Sequence, residues 1–304
     1  MNASPPRNFP PNFPRFLSGG PETLRLSRNA AIGLVLYGLV LSAVMDLILR
    51  DRGAFHGVSQ NILATLCTAT IAARWLGRRL AVTAALFQLT SFYAFGWPVV
   101  LEFRGAVSAT LFTAAMGAFA WANVPGRLPR NTQWRPSLLF FACGAGLLGL
   151  FFGWGEIAGI FLACFAYLLM NQDGRAFRFL AHPLGLVLWA IAFGVAGWRW
   201  PSGVCVADVK CLVKCLAGWH APAAAAGGML PWTLLAIIAV VVGFRQGHYA
   251  TPFWQFVGCW LIVPILLATF GILQGHSVMA IAASPISMLA AVGLEALFNW
   301  RHSE

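Results

Sequence analysis

Residues 254–291 read WQFVGCWLIVPILLATFGILQGHSVMAIAASPISMLAA, and no Lys, Arg, Asp or Glu interrupts them. A bilayer-spanning helix needs roughly 20 apolar residues in a row. The stretch therefore holds two spans, parted by the polar break Gln274-Gly275-His276-Ser277. The whole chain repeats this pattern: its 304 residues are 59% hydrophobic and 10% charged, with mean hydropathy +0.75. A soluble domain is about half apolar and about a quarter charged. So little charge cannot cover a water-soluble globule, and so much apolar surface excludes a disordered chain. Outer-membrane barrels read as short alternating segments, whereas these apolar runs are long. The expected fold is an all-α, polytopic transmembrane bundle of about ten spans.

Working outward, the spans fall near 30–49, 57–76, 80–99, 105–124, 136–153, 155–171, 182–200, 223–244, 251–273 and 277–298. Residues 1–29 hold six of the 17 prolines and a doubled Asn-Phe-Pro, so they read as a loosely tethered tail ahead of one transmembrane domain, 30–304. No cleavable signal peptide is evident. With the N-terminus inside, the inner segments carry 14 of the 20 Lys+Arg. The outer segments carry six, Arg50, Arg52, Arg104, Arg199, Lys210 and Lys214. Such a split is what the positive-inside rule expects, and it places both termini in the cytoplasm. The net charge of +11 comes in ones to threes between apolar runs, which fits lipid headgroups and not nucleic acid.

This topology puts Asp46, Asp51, Glu102, Glu156 and Asp208 near the outer face, with Arg50, Arg52, Arg104, Lys210, Lys214, His220 and His276. Ionisable groups near the apolar zone are costly and tend to mark function. Each acid has a plainer reading, hydration at the interface or pairing with Arg50 or Arg104. The one-sided clustering supports a sharper one, an outer cavity that handles a polar, anionic group. The loop at about 201–222 holds Cys205, Cys211 and Cys215, and over 204–217 it reads as an interfacial amphipathic helix. A disulfide there would leave one thiol over. Only Asp208 and His220 lie close enough to join a metal, so neither a metal nor a cofactor is expected. Cys67, Cys143, Cys164 and Cys259 lie inside apolar runs and read as packing residues. P-loop, H-E-x-x-H, C-x-x-C-H and G-x-S-x-G motifs are absent from the sequence.

Taken in order, several segments resemble the GT-C glycosyltransferases of the aminoarabinose-transferase and protein O-mannosyltransferase type. They are ILATLCTATIAARWLGRRLAVTAALFQLTSFYAF from Ile62, GAGLLGLFFGWGEIAGIFLACFAYLL at 144–169 and HPLGLVLWAIAFGVAGWRW at 182–200. GGMLPWTLLAIIAVVVGF at 227–244, with its Leu-Pro-Trp, and residues 254–291 continue the likeness. The resemblance implies a polyprenyl-phosphate-sugar donor and an acidic base just after the first helix, where this chain offers Asp46 and Asp51. Departures accompany it. The long outer loop after the first span is missing, as is the C-terminal soluble domain. An acidic residue opening the fourth helix is matched by Glu102-Phe103-Arg104-Gly105. Gly153-Trp154-Gly155-Glu156 stands where the family has Thr-Lys-Gly, whose lysine contacts lipid phosphate. Gln274-Gly275-His276-Ser277-Val278-Met279-Ala280 replaces a Lys-x-Lys-x-Pro-x-Tyr element.

Three functions follow as expectations. The first is a non-catalytic or divergent family member, working as a subunit or scaffold in a membrane-protein complex. The second is an active transferase. In it Asp46 or Asp51 serves as general base, and Arg50, Arg52, Arg104, Lys210 and Lys214, with Glu102, Glu156 and His276, line the site for the lipid-linked sugar phosphate. The third is a small-molecule or lipid transporter using the same outer cavity. Fold likeness alone does not transfer activity.

Overall fold

The structure, a computed structural model, describes residues 54–91, 103–123, 147, 154–171, 183, 186–187, 189–191, 193–194, 220–270, 272–273 and 275–301. Among the described residues the chain is all-helical, with no strand. The helices are α1 (Ala54–Leu76), α2 (Arg78–Leu89), α3 (Phe103–Asn123), α4 (Trp154–Asn171), α5 (His220–Gly228), α6 (Trp232–Arg245), α7 (Pro252–Thr269) and α8 (Gly275–Arg301). A 3-10 turn, His248–Ala250, joins α6 to α7.

A single residue turns α1 back into α2. Gly77 adopts φ 88°, ψ 172°, in the region that favours glycine. Ile62 and Ala69 of α1 then pack on Ala85 and Leu89 of α2. The expected span 80–99 is corrected here, since helix α2 stops at Leu89. Two side chains add hydrogen bonds to carbonyls of its last turn. Thr90 Oγ1 donates to the Leu86 carbonyl at 2.7 Å, and Ser91 Oγ donates to that of Gln88 at 2.8 Å.

Aromatic contacts fix the relative directions of α1, α3, α4 and α7. Near the end of α1, Trp75 lies 6.1 Å from Phe253 and 5.8 Å from Phe256, in the first turns of α7. Phe256 also meets Tyr167 of α4 at 5.7 Å and Phe119 of α3 at 6.4 Å. The C-terminal ends of α1, α3, α4 and α6 thus share one end of the bundle with the start of α7. Arg74, Arg78, Arg79 and Arg245 belong to this arginine end. At the opposite end Gly155 packs so closely that a Cβ there would collide with the Ile272 carbonyl. That contact places the α7–α8 connection beside the start of α4, and α8 runs back toward the arginine end. Helices α3 and α4 run the same way. The span expected at 136–153 lies outside the described residues, Leu147 aside.

Small residues bring α6 and α8 together. A Cβ at Gly293 would collide with the Leu235 carbonyl, so the two backbones touch there. Ala236, Ala239 and Gly243 are the buried positions of α6. Such close approach is typical of helices that gain little from hydrophobic burial against each other.

The single span expected at 223–244 is two helices. Met229, Leu230 and Pro231 form a turn between α5 and α6. Pro231 has no N–H and disfavours α geometry at Leu230, and Gly227-Gly228 before them are weak helix formers. The freed backbone groups are taken up locally. Trp232 N–H donates to the Met229 carbonyl at 2.8 Å, and Thr233 Oγ1 donates to that of Ala226 at 2.6 Å.

Two of the described helical stretches are long and apolar enough to cross a membrane, Pro252–Thr269 and Ile281–Phe298. Thr110–Ala120, Gly155–Met170 and Trp232–Arg245 are shorter apolar helices. Large apolar side chains form stripes on outward faces at helical spacing. Leu162, Phe165 and Leu169 line α4, and Leu234, Ile237, Val241 and Phe244 line α6. Ile262, Leu266 and Phe270 continue the pattern along α7 and just past its end.

Candidate functional site

Three of the expected site residues come to one end of the bundle. Arg104 is in the first turn of α3, Glu156 in the first turn of α4 and His276 in the first turn of α8, all at the end opposite the arginines. Glu156 is buried, at 5% exposure, which sets aside hydration at the interface and leaves open pairing, its other plain reading. The cause is local: Gly155 lets the start of α4 press against Ile272 and Leu273, and its neighbour is carried inside with it. A carboxylate in a first turn also faces the positive end of the helix dipole. Asp46, Arg50, Asp51, Arg52, Glu102, Lys210 and Lys214 lie outside the described residues. So do Cys143, Cys205, Cys211, Cys215, Asp208, the tail 1–29 and the expected helix 204–217.

Inward from that end runs a seam of buried hydroxyls that the sequence reading passed over. Thr68 Oγ1 donates to Ser284 Oγ at 2.8 Å and lies 2.9 Å from the Ala64 carbonyl. Thr113 Oγ1 is 3.2 Å from the same Ser284 oxygen, so one hydroxyl ties α1, α3 and α8 together. Ser287 Oγ donates to the Ser284 carbonyl at 2.8 Å. Ser284 lies eight residues beyond His276, about 12 Å along α8 at 1.5 Å per residue. Thr65 and Gln88 extend the seam into the α1–α2 contact. Both are buried, and Thr65 Oγ1 and Gln88 Oε1 have no hydrogen-bond partner among the described residues. The available signal was Ser284 and Ser287 three residues apart, matched by Thr65 and Thr68. Both pairs sit inside apolar runs, where hydroxyls read as neutral.

The seam holds hydrogen-bonding groups but no titrating carboxylate, so it can orient a polar group and cannot take its proton at neutral pH. Ser284→Ala should cost about 1 kcal/mol, because Thr113 loses its side-chain partner inside the bundle. In a Thr113→Val background the same change should cost clearly less. A double-mutant cycle from thermal unfolding in detergent reads this coupling, and strict additivity would count against a shared hydroxyl.

Among the described residues no group of three His, Cys, Asp or Glu stands together to hold a metal ion. Cys67, Cys164 and Cys259 are free thiols, with Cys164 Sγ 3.9 Å from Met116 Sδ and Cys259 Sγ 3.6 Å from Met170 Sδ. At the arginine end, burial holds the His248 imidazole below its ordinary pKa, with Nε2 3.2 Å from Gln246 Oε1. That histidine is therefore neutral at pH 7 and adds no charge to its surroundings.

The chain matches no protein-family model, no curated protein and no solved structure.

Proposed function

We propose that the chain is a multi-pass integral membrane protein of about ten spans, with both termini cytoplasmic, that serves as a non-catalytic subunit or scaffold in a membrane assembly. The observation that carries this reading is the set of exposed apolar stripes on α4, α6 and α7. In water such stripes would be exposed apolar surface of the kind soluble monomers keep small, and in lipid they are an ordinary exterior. The arginine end supports the N-in orientation, since the positive-inside rule places such a cluster in the cytoplasm. The parallel course of α3 and α4 supports an additional span between them. The scaffold is taken as GT-C-like on sequence resemblance, and the hydroxyl seam supports a binding or structural interior over a proton-transferring one.

The test is native mass spectrometry of the full chain extracted in mild detergent, with reporter fusions at each terminus. An assembly heavier than the monomer and cytoplasmic signals at both ends are expected. A lone monomer, or a reporter on the far side, would overturn the proposal.

One observation favours a second reading, an active transferase that uses a polyprenyl-phosphate sugar. The fold gathers Arg104, Glu156 and His276 at a single end, the outer one in this orientation. On this reading the double change Asp46→Asn, Asp51→Asn lowers sugar transfer from a lipid carrier about 10²–10⁴-fold, the usual cost of losing a general base. On the scaffold reading no transfer is detected from either protein, and the double change leaves abundance and assembly unaltered.

A further inference from the structure

Two turns lie at the arginine end. The α1–α2 turn carries Arg78 and Arg79, and the α6–α7 turn carries Arg245 and Gln246. Trp75, two residues before Gly77, packs on Phe253 at 6.1 Å, which holds the end of α1 against the first turn of α7 and so brings both turns to the same end of the bundle. Arg78, Arg79 and Arg245 are all exposed, and none forms an ion pair among the described residues. The described residues include two carboxylates. Glu156 is at the opposite end, and Glu295 lies on α8 about 9 Å short of its last residue, at 1.5 Å per residue. His248 lies beside Arg245 but is held neutral by burial, so the charge here is that of the arginines.

A separate observation gives this patch its depth. Phe244 and Tyr249, 65% and 57% exposed, stack on each other at 5.9 Å on either side of the α6–α7 turn. Phe244 closes the apolar stripe of α6, and Arg245 follows it directly. An exposed aromatic pair at the end of a lipid-facing stripe marks the headgroup level, where amphipathic rings collect. The arginines beside it therefore stand among lipid phosphates. Two of them open helix α2, where positive charge opposes the helix dipole and brings no intramolecular gain. Gly77, the N-cap of α2, offers no side chain to its first-turn N–H groups either.

Resting on the membrane reading above, we infer that Arg78, Arg79 and Arg245, flanked by Phe244 and Tyr249, form a seat for the headgroup of an anionic phospholipid in the cytoplasmic leaflet. Guanidinium groups pair with phosphate through parallel N–H bonds, and the aromatic pair lies along the acyl chain just below the headgroup. A zwitterionic lipid offers the same phosphate, but its own ammonium repels the patch.

The experiment places the full chain in nanodiscs of equal parts phosphatidylglycerol and phosphatidylcholine, and native mass spectrometry after release reads which lipid is retained. The wild type should retain phosphatidylglycerol in clear excess. With about 1 kcal/mol for each basic residue near the surface, the excess should fall roughly fivefold per charge removed. The triple change Arg78→Gln, Arg79→Gln, Arg245→Gln should erase it, and the triple change to Lys should restore most of it. Inorganic phosphate at millimolar concentration should not displace the lipid. No preference in the wild type, or one unchanged by the Gln triple, would overturn the inference. Failure of the chain to enter nanodiscs at all would instead overturn the membrane reading. Monodisperse elution of the Gln triple confirms that it folds, and its companion Lys triple keeps the test valid if it does not.

Discussion

Phe256→Ala should destabilise the bundle by about 3–5 kcal/mol, the range for emptying a fully buried aromatic site. Phe256 is inaccessible to solvent and meets Trp75, Phe119, Tyr167 and Trp260, so a single ring connects α1, α3, α4 and α7. Its loss opens a cavity that the rigid aromatic neighbours cannot collapse to fill. Aromatic pairs also contribute about 0.5–1.5 kcal/mol beyond their buried area, and several pairs vanish together. The measurement is thermal unfolding in detergent, followed by tryptophan fluorescence, since Trp75 and Trp260 both report on the site. Phe256→Leu should lose considerably less, because it keeps most of the volume. An alanine variant that melts with the wild type would mean that this end of the bundle is not packed as described.

Gly293→Leu should have a comparable or larger effect by the opposite route. Here there is no space at all: the first atom of any side chain meets the Leu235 carbonyl, which is backbone and cannot swing away. Even Gly293→Ala must push α6 from α8, and overpacking of this kind costs about 1–3 kcal/mol. A leucine multiplies the intrusion and should leave little folded protein. The control is Gly258→Ala in α7, where an added Cβ meets nothing within 4 Å. There the better helix propensity of alanine should leave stability equal or higher, by up to about 1 kcal/mol. Fluorescence-detected size exclusion of the three variants reads the order. A tolerated leucine at 293 would separate α6 from α8 and remove the reason for the small residues between them.

Much of the helix layout was legible because its signal is continuous. The apolar runs at 57–76, 105–124, 155–171, 251–273 and 277–298 are helical, as α1, α3, α4, α7 and α8 within a few residues, and those of α7 and α8 are long and apolar enough to cross a membrane. Each is a long apolar run closed by Gly, Asn, Arg or Thr. What misled was a set of local backbone effects that hydropathy averages away. A window across 223–244 sees apolar residues throughout, although Pro231 after two glycines cannot stay in one helix. A window across 80–99 sees no reason to stop at Leu89, where Thr90 and Ser91 turn out of the helix and bond back to carbonyls of its last turn. At the candidate site, charge drew attention to Arg104, Glu156 and His276, and their common end follows from helix direction. The burial of Glu156 depends on a glycine contact with a distant segment, which no pattern along the chain reveals. The hydroxyl seam escaped for a related reason: Thr68, Thr113 and Ser284 become a unit only when three helices meet.

The one-residue turn at Gly77 also bears on how such a chain is made. Helix α2 has 12 residues, about 18 Å of rise, well short of the roughly 30 Å hydrocarbon thickness. If the hairpin is a membrane element, α2 leaving the ribosome is too short to be accepted by the bilayer alone, and only Gly77 separates it from α1. On the membrane reading proposed above it would enter while paired with α1, as one hairpin in which Ala85 and Leu89 pack against Ile62 and Ala69. On the same reading Arg74, Arg78 and Arg79 would keep the bend of that hairpin on the side of synthesis, since dragging three guanidinium groups through a membrane is far costlier than holding them back. On this membrane reading, the handedness of the whole assembly is decided within its first hundred residues, before α7 and α8 exist to pack against it.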